Sequence, residues 1–145
     1  MSVRVATLED VQTVAGLAIQ MRESHTTEEL AQGFYDYMSG DAGIVVLAME
    51  DENAVGFAQC GLRHDYVEGT ETSPVGYLEG VFVEAAYRRQ GIARELVKAC
   101  QIFAKEQGCI EFASDCELDN TNSLKFHMAM GFCEANRIIC FKKNL

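Results

Sequence analysis

The 145-residue chain has no tryptophan, a single proline at Pro74, and only 12 lysine and arginine residues against 22 aspartates and glutamates. Each shortage excludes something. One proline beside an apolar fraction of 48% excludes a disordered or proline-rich linker as the bulk of the chain. A formal charge of -10 would meet nucleic-acid phosphates with repulsion rather than counterion release, so no nucleic-acid partner is expected. No apolar run approaches the roughly eighteen residues that cross a bilayer, so no membrane partner is expected either. The start, Met1-Ser2-Val3-Arg4-Val5-Ala6-Thr7, lacks an apolar signal core, and a cytoplasmic location follows as the expectation. There is no CxxC. Cys60, Cys100, Cys109, Cys116, Cys133 and Cys140 are irregularly spaced in apolar surroundings and read as small buried hydrophobes; neither a disulfide framework nor a metal site is expected.

What is present fits one domain spanning residues 1–145, with enough apolar surface for a single core. A first strand is expected at Ser2–Ala6, then a helix capped by Thr7 and Asp10 and running to Arg22, because Leu8, Val11, Val14, Leu17, Ala18 and Met21 recur at helical spacing. A second helix starts at Thr27, with Gly40 as a left-handed terminator. Gly43–Met49 and Ala54–Arg63 read as a hairpin about an acidic turn, followed by a strand at Val75–Val83 and a helix from Gly91 to Gln107 that Gly108 stops. A strand at Ile110–Cys116, a helix at Asp119–Met130, and strands at Phe132–Glu134 and Arg137–Lys143 complete the chain. This order makes an α/β (α+β) fold with a mixed sheet, since long helical crossovers imply parallel neighbours in the middle.

The most informative stretch is Tyr77 to Ala93, where an apolar strand runs into a basic, glycine-containing turn that opens a helix. A helix start leaves backbone N–H groups without partners and carries the positive end of the macrodipole, so it seats an anion, and Arg88 and Arg89 add charge. The turn has neither the Gly-Lys-Ser/Thr of a Walker A loop nor the three glycines of a dinucleotide fingerprint. The acids are also unevenly placed. Between Arg63 and Arg88 stand Asp65, Glu68, Glu71, Glu79 and Glu84 with no lysine or arginine among them, and Glu111, Asp115, Glu117 and Asp119 form a second group. A cationic small-molecule partner suits that pattern.

The spacing Arg88-x-x-Gly91-x-Ala93 after a strand resembles the pyrophosphate loop of the Gcn5-related N-acetyltransferases, which use acetyl coenzyme A. Asn120, His127 and Gly131-Phe132 are similar to that family's last helix and following strand. The blocks Tyr66–Gly80 and Phe112–Asn120 resemble its aminoglycoside 6'-N-acetyltransferase branch. The resemblance implies a mostly antiparallel sheet with a parallel pair at the cofactor cleft and about four flanking helices. It further implies that Val81, Phe82 and Val83 bind the pantetheine arm through the main chain, that Arg88, Arg89, Gln90, Gly91, Ile92, Ala93 and Arg94 hold the pyrophosphate, and that Asn120 touches the cofactor. Tyr66, Glu79 and Asp115 would contact the acceptor. A homodimer through the C-terminal strands is a further implication, and Ile138-Ile139-Cys140-Phe141 would make an adhesive edge if left unpaired.

The residues themselves suggest roles in acyl transfer. Asp115 ends an apolar strand beside the cofactor strand, where open α/β sheets place ligand groups, and is the first choice to take the proton of an attacking amine. Glu79, between Leu78 and Gly80 inside a strand, is an uncomfortable charge unless it meets a cation. His127 stands where the wider family has a tyrosine and is the candidate acid for the departing thiolate. The chain departs from the family branch in having Met21-Arg22-Glu23 in place of a tryptophan region and Ala135-Asn136 in place of an acid, so that Asn136 would line the acceptor site. Both departures remove affinity for a polyamine sugar. The expected activity is acetyl-CoA-dependent acetylation of a primary amine in a ternary complex, on the 6'-amine of an aminoglycoside. The alternatives are another small amine such as a polyamine or amino sugar, a protein amine, a cysteine-nucleophile mechanism, or a non-catalytic coenzyme A sensor.

Overall fold

In the computed structural model, which describes all 145 residues, apolar alternation in the middle of the chain builds a five-stranded sheet in the order β1-β2-β3-β4-β5. The strands are β1 (Ser2–Val5), β2 (Gly43–Glu50), β3 (Asn53–Arg63), β4 (Val75–Val83) and β5 (Phe112–Ser114). Neighbours are antiparallel except β4 and β5, which are parallel. The four α-helices are α1 (Val11–Ala18), α2 (Thr27–Ser39), α3 (Ile92–Glu106) and α4 (Thr121–Ala129). Because side chains alternate along a strand, the sheet has two apolar faces. One packs Val45, Leu47, Phe57 and Phe82 against Val14, Leu17, Leu30 and Phe34 of α1 and α2. The other packs Val46, Ala58, Cys60, Leu78 and Val83 against Leu96, Val97 and Cys100 of α3. Full burial of Phe57 and Leu96 contributes roughly 1.5–3 kcal/mol each.

The helix ends differ from the expectation where local bonding wins over periodicity. A 3-10 turn at Leu8–Asp10 precedes α1, and Asp10 closes the entry by accepting from the Thr7 N–H at 2.8 Å and from Arg4 at 2.8 and 2.9 Å. The Arg4 bonds, offset in part by desolvation, lower the Asp10 pKa to about 2. α1 stops at Ala18 rather than Arg22, because the Met21 N–H donates to Ala18 O at 3.0 Å in a tight turn that leads the chain toward the sheet. Gly40 is extended, with φ −101 and ψ −169, so α2 does not end on a left-handed residue; Gly108 after α3 is left-handed, as expected, with φ +89. β5 is confined to three residues of the expected Ile110–Cys116.

The two expected final strands are absent: residues 132–145 contain neither helix nor strand. A strand needs a neighbour to satisfy its amides, and residues 132–145 form no ladder with the β5 edge or with one another. Ile138, Ile139 and Phe141 are 64%, 80% and 90% exposed as a result. The cysteine expectation holds in half: Cys60, Cys100 and Cys109 are buried, whereas Cys116, Cys133 and Cys140 are exposed because they lie outside the packed elements. No helix is long and apolar enough to cross a membrane.

Two glycines test the packing in opposite directions. A Cβ on Gly76 would stand 2.6 Å from Ala104 Cβ and 2.7 Å from Phe112 Cδ1, where α3 and β5 close on β4, so Gly76→Ala should cost about 1–3 kcal/mol in urea denaturation. Gly33, inside α2 with nothing within 4 Å of a Cβ, should give about 0.5–1 kcal/mol of added stability as Gly33→Ala.

Candidate active site

β5 follows β4 only from Gly76 to Leu78, so the edge of β4 from Glu79 to Val83 has no strand neighbour on that side. On its other side the ladder slips: Gln59 faces Gly80 while Cys60 faces Leu78, which leaves Glu79 as the extra residue of a β-bulge. The bulge resets the alternation. Leu78 packs toward α3, and so do Val81 and Val83, while Phe82 packs toward α1 and α2. Glu79 and Gly80 are both left on the α1/α2 side, Glu79 near Gly61 and Gly80 near Arg22.

At the end of β4 the chain makes a 3-10 turn, Ala85–Tyr87, and enters α3 through two left-handed residues, Arg89 with φ +63 and Gly91 with φ +81. The first bond of α3 runs from the Glu95 N–H to Gly91 O at 3.2 Å, so the N–H groups of Ile92, Ala93 and Arg94 precede the intrahelical ladder. Gly91 has open space where a Cβ would stand. These free donors, with the helix dipole behind them, fit a pyrophosphate, and the bare β4 edge fits an extended arm that seeks main-chain bonds. Arg88 is spent locally, since its Nε donates to Val83 O at 2.9 Å. Arg94 Nη2 donates to Ala129 O at 3.1 Å and ties α3 to the end of α4.

The α1/α2 face carries a chain of polar contacts. Tyr77, which is 6% exposed, donates its hydroxyl to Asp115 Oδ2, and its ring lies 3.5 Å below the Arg63 guanidinium. Arg63 Nη2 in turn donates to Glu79 Oε1 at 2.8 Å and Oε2 at 3.1 Å. Burial, and then the bond to Asp115, raise the Tyr77 pKa, so this hydroxyl is held as a donor. Asp115 and Glu79 are thereby linked through Tyr77 and Arg63. Glu111 Oε1 fastens the loop after β3, accepting from the Glu71 and Thr72 N–H groups at 2.9 and 2.8 Å.

Of the residues singled out in the sequence, Asp115 and Glu79 are brought into this one network. Tyr66 is 75% exposed on the loop after β3, and Asn136 reaches that loop by donating to Glu68 Oε1. Asn120 caps α4, accepting from the Ser123 N–H at 3.0 Å. Both ring nitrogens of His127 are engaged, Nδ1 with Ser123 O at 2.7 Å and Nε2 with Ser114 Oγ at 2.8 Å. Sequence reasoning missed Arg63 and Tyr77, and touched Arg22 only as part of the Met21-Arg22-Glu23 departure from the family branch. Tyr77 carried a usable signal, because it precedes Glu79 by two positions and so shares its strand face. No group of three or more His, Cys, Asp and Glu side chains is placed to hold a metal ion.

A helix start with free N–H donors, at the end of a strand with a bare edge and beside a network holding two carboxylates, fits an enzyme that takes its group from a coenzyme A-like donor. Residues 10–132 match the model of the Acetyltransferase (GNAT) family, and the chain belongs to that family. It is 41% identical over 129 residues to the aminoglycoside N(6')-acetyltransferase type 1 of Salmonella typhimurium, covering 88% of each chain. It is 48% identical over 101 residues to the protein of that name from Acinetobacter baumannii, covering 69% of each. Its fold superposes on AAC(6')-Iy in complex with the bisubstrate analog CoA-S-monomethyl-acetylneamine with a TM-score of 0.94 at 35% identity, covering 99% of this chain and 98% of that one.

Gly91→Ala isolates the phosphate seat. The new methyl group meets no protein atom, yet a left-handed alanine costs roughly 1–2 kcal/mol. The turn should relax away from its donor-out geometry and weaken coenzyme A binding about tenfold by calorimetry, while Gly40→Ala, which has open space and negative φ, should leave it alone.

Proposed function

We propose that this acetyltransferase moves the acetyl group of acetyl-CoA to a primary amine of a cationic small molecule, the 6'-amine of an aminoglycoside, by direct attack in a ternary complex. The observation that carries this reading is the bulge at Glu79, which sets a carboxylate beside the bare β4 edge with Asp115 at the end of the neighbouring strand. The relatives' names support the choice of acceptor.

Acetyl-CoA supplies an activated thioester acyl group and a thiolate leaving group. The chain's residues do the rest. Main-chain groups of Val81, Phe82 and Val83 hold the pantetheine arm, and an N–H near Val81 polarises the thioester carbonyl. Ile92, Ala93 and Arg94 offer N–H groups to the pyrophosphate, with Arg88, Arg89, Gln90 and Gly91 shaping the turn and the Asn120 side chain at its far wall. An amine of ordinary basicity arrives as an ammonium near neutral pH and attacks only after losing a proton, which Asp115 accepts directly or through water. Tyr77 fixes the orientation of that carboxylate. Glu79 draws the ammonium in, and Tyr66 and Asn136 line the outer wall. In this reading His127 protonates the thiolate as an imidazolium, keeping its Nδ1–H on Ser123 O and passing the Nε2 proton through the Ser114 hydroxyl, which gives up its own proton to the thiolate.

The exposed apolar arm at Ile138–Phe141 suits pairing with a second copy, and we take the working form to be a homodimer in the cytoplasm, where acetyl-CoA is available. A chain of 16.0 kDa should then run at twice that mass in light scattering. Replacing Ile139 and Phe141 together by glutamate should yield the single-chain mass; an unchanged mass would place the interface elsewhere.

The catalytic reading is tested by thiol release from acetyl-CoA with kanamycin-type aminoglycosides. Asp115→Asn should lower kcat by about 10²–10⁴-fold with coenzyme A affinity retained. A variant as active as the parent would sink the proton-acceptor role. Absence of acceptor-dependent release in the parent protein, with coenzyme A bound, would favour a sensor.

A further inference from the structure

We infer that Arg22 is a specificity-determining residue of the acceptor cleft, its guanidinium lying against Gly80, on the face that carries Glu79, in a place that a second ammonium of the acceptor would otherwise take. The inference rests on the reading of that cleft as the acceptor site. The early end of α1 and the tight turn after it deliver Arg22 to the sheet. Its Nη2 comes within 3.3 Å of where a Cβ on Gly80 would stand, so the missing side chain of Gly80 is what lets it lie against β4. The guanidinium is 5.5 Å from the centre of the Phe34 ring.

Arg22 is poorly compensated. It makes no ion pair within 4.0 Å, and its hydrogen bond to Gln59 Oε1 is long at 3.5 Å. Glu79, the carboxylate whose field reaches Arg22, is already paired with Arg63. Burial lowers the Arg22 pKa, and the field of Glu79 is the opposing influence. A chain with a net charge of -10 thus carries an acidic rim, with Asp65, Glu68 and Glu71 on the loop after β3, around an inner cleft that is not acidic. The rim attracts a polycation. Arg22 then repels any ammonium set next to the reacting one, and in a partly desolvated cleft like-charge repulsion across several ångströms weakens binding on the order of tenfold. The favoured acceptor is an amine whose other positive charges lie far from the reacting group.

Calorimetric titration of neamine, which crowds several ammonium groups on two rings, tests this with coenzyme A present. Arg22→Met and Arg22→Gln should each bind neamine about tenfold more tightly than the parent, and the gain should shrink in high salt. Arg22→Lys, which keeps the charge, should stay near the parent. Glutamine keeps a polar donor without the charge, so it guards against a packing or solvation defect in the methionine variant. Equal or weaker neamine binding in both neutral variants overturns the inference, as does a lysine variant that gains as much as they do. Acetyl transfer to neamine, followed on the same samples, separates the two readings. A charge-dependent affinity gain without turnover upholds Arg22 and refutes aminoglycoside acetylation, whereas turnover without the gain does the reverse.

Discussion

The single extra residue in β4 is the constraint on which the site depends. Without the bulge, strict alternation would carry Glu79 and Val81 to one face, and either the carboxylate would leave the cleft or Val81 and Val83 would leave the α3 core. With it, Leu78, Val81 and Val83 all pack toward α3 while Glu79 and Gly80 both face α1 and α2. The core therefore stays apolar on both faces of the sheet, and the cleft receives a charge and a vacancy side by side. The end of the β5 ladder at Leu78 adds the other half, because the backbone beyond it has no strand partner on that edge. The bare edge and the Glu79 carboxylate thus arise within a few residues of one strand.

Charge then has to be balanced locally rather than in total. A net charge of -10 describes attraction from a distance. Within the network Tyr77 donates to Asp115 and Arg63 donates to Glu79, with the Arg63 guanidinium stacked on the Tyr77 ring between them, so each carboxylate has a fixed partner before any ligand arrives. Such a network positions Asp115 without neutralising its second oxygen. It also means that an incoming ammonium competes with arginine for Glu79, which makes affinity for a polycation a matter of exchange rather than simple attraction.

Much of this was legible in the sequence, for physical reasons that differ by element. The β4-turn-α3 unit could be read because strand, basic turn and helix each carry independent signals that agree, and Gly91 is required by a positive φ. Asp115 and Glu79 stood out as charges in apolar strands. The bulge was not read, although a glycine such as Gly80 inside an apolar strand is a signal for one, because the glycine does not say which neighbour is the extra residue, and with it went the placing of Arg22 and Arg63. Helical periodicity continued through Met21 although the helix did not, because a turn of i→i+3 bonding keeps nearly the same apolar spacing. The final strands were correctly β-prone in composition yet unformed, because a strand is a property of a pair.

That last difference bears on function as well as on folding. The arm at residues 132–145 begins immediately after the α4 turn that fixes His127 against Ser114, and Asn136 within it bonds Glu68 on the acceptor-side loop. Gly69 of the same loop has Ala135 where its own Cβ would be, so arm and loop already touch. Ordering the arm on a neighbour would draw Asn136 and the loop carrying Tyr66 into a defined position, and disordering it would release both. The loop that carries Tyr66 is therefore coupled to whatever covers Ile138 and Phe141, whereas Asp115 and Tyr77 are held by the sheet itself. Acceptor affinity should follow the state of the arm, and the proton-accepting network should not.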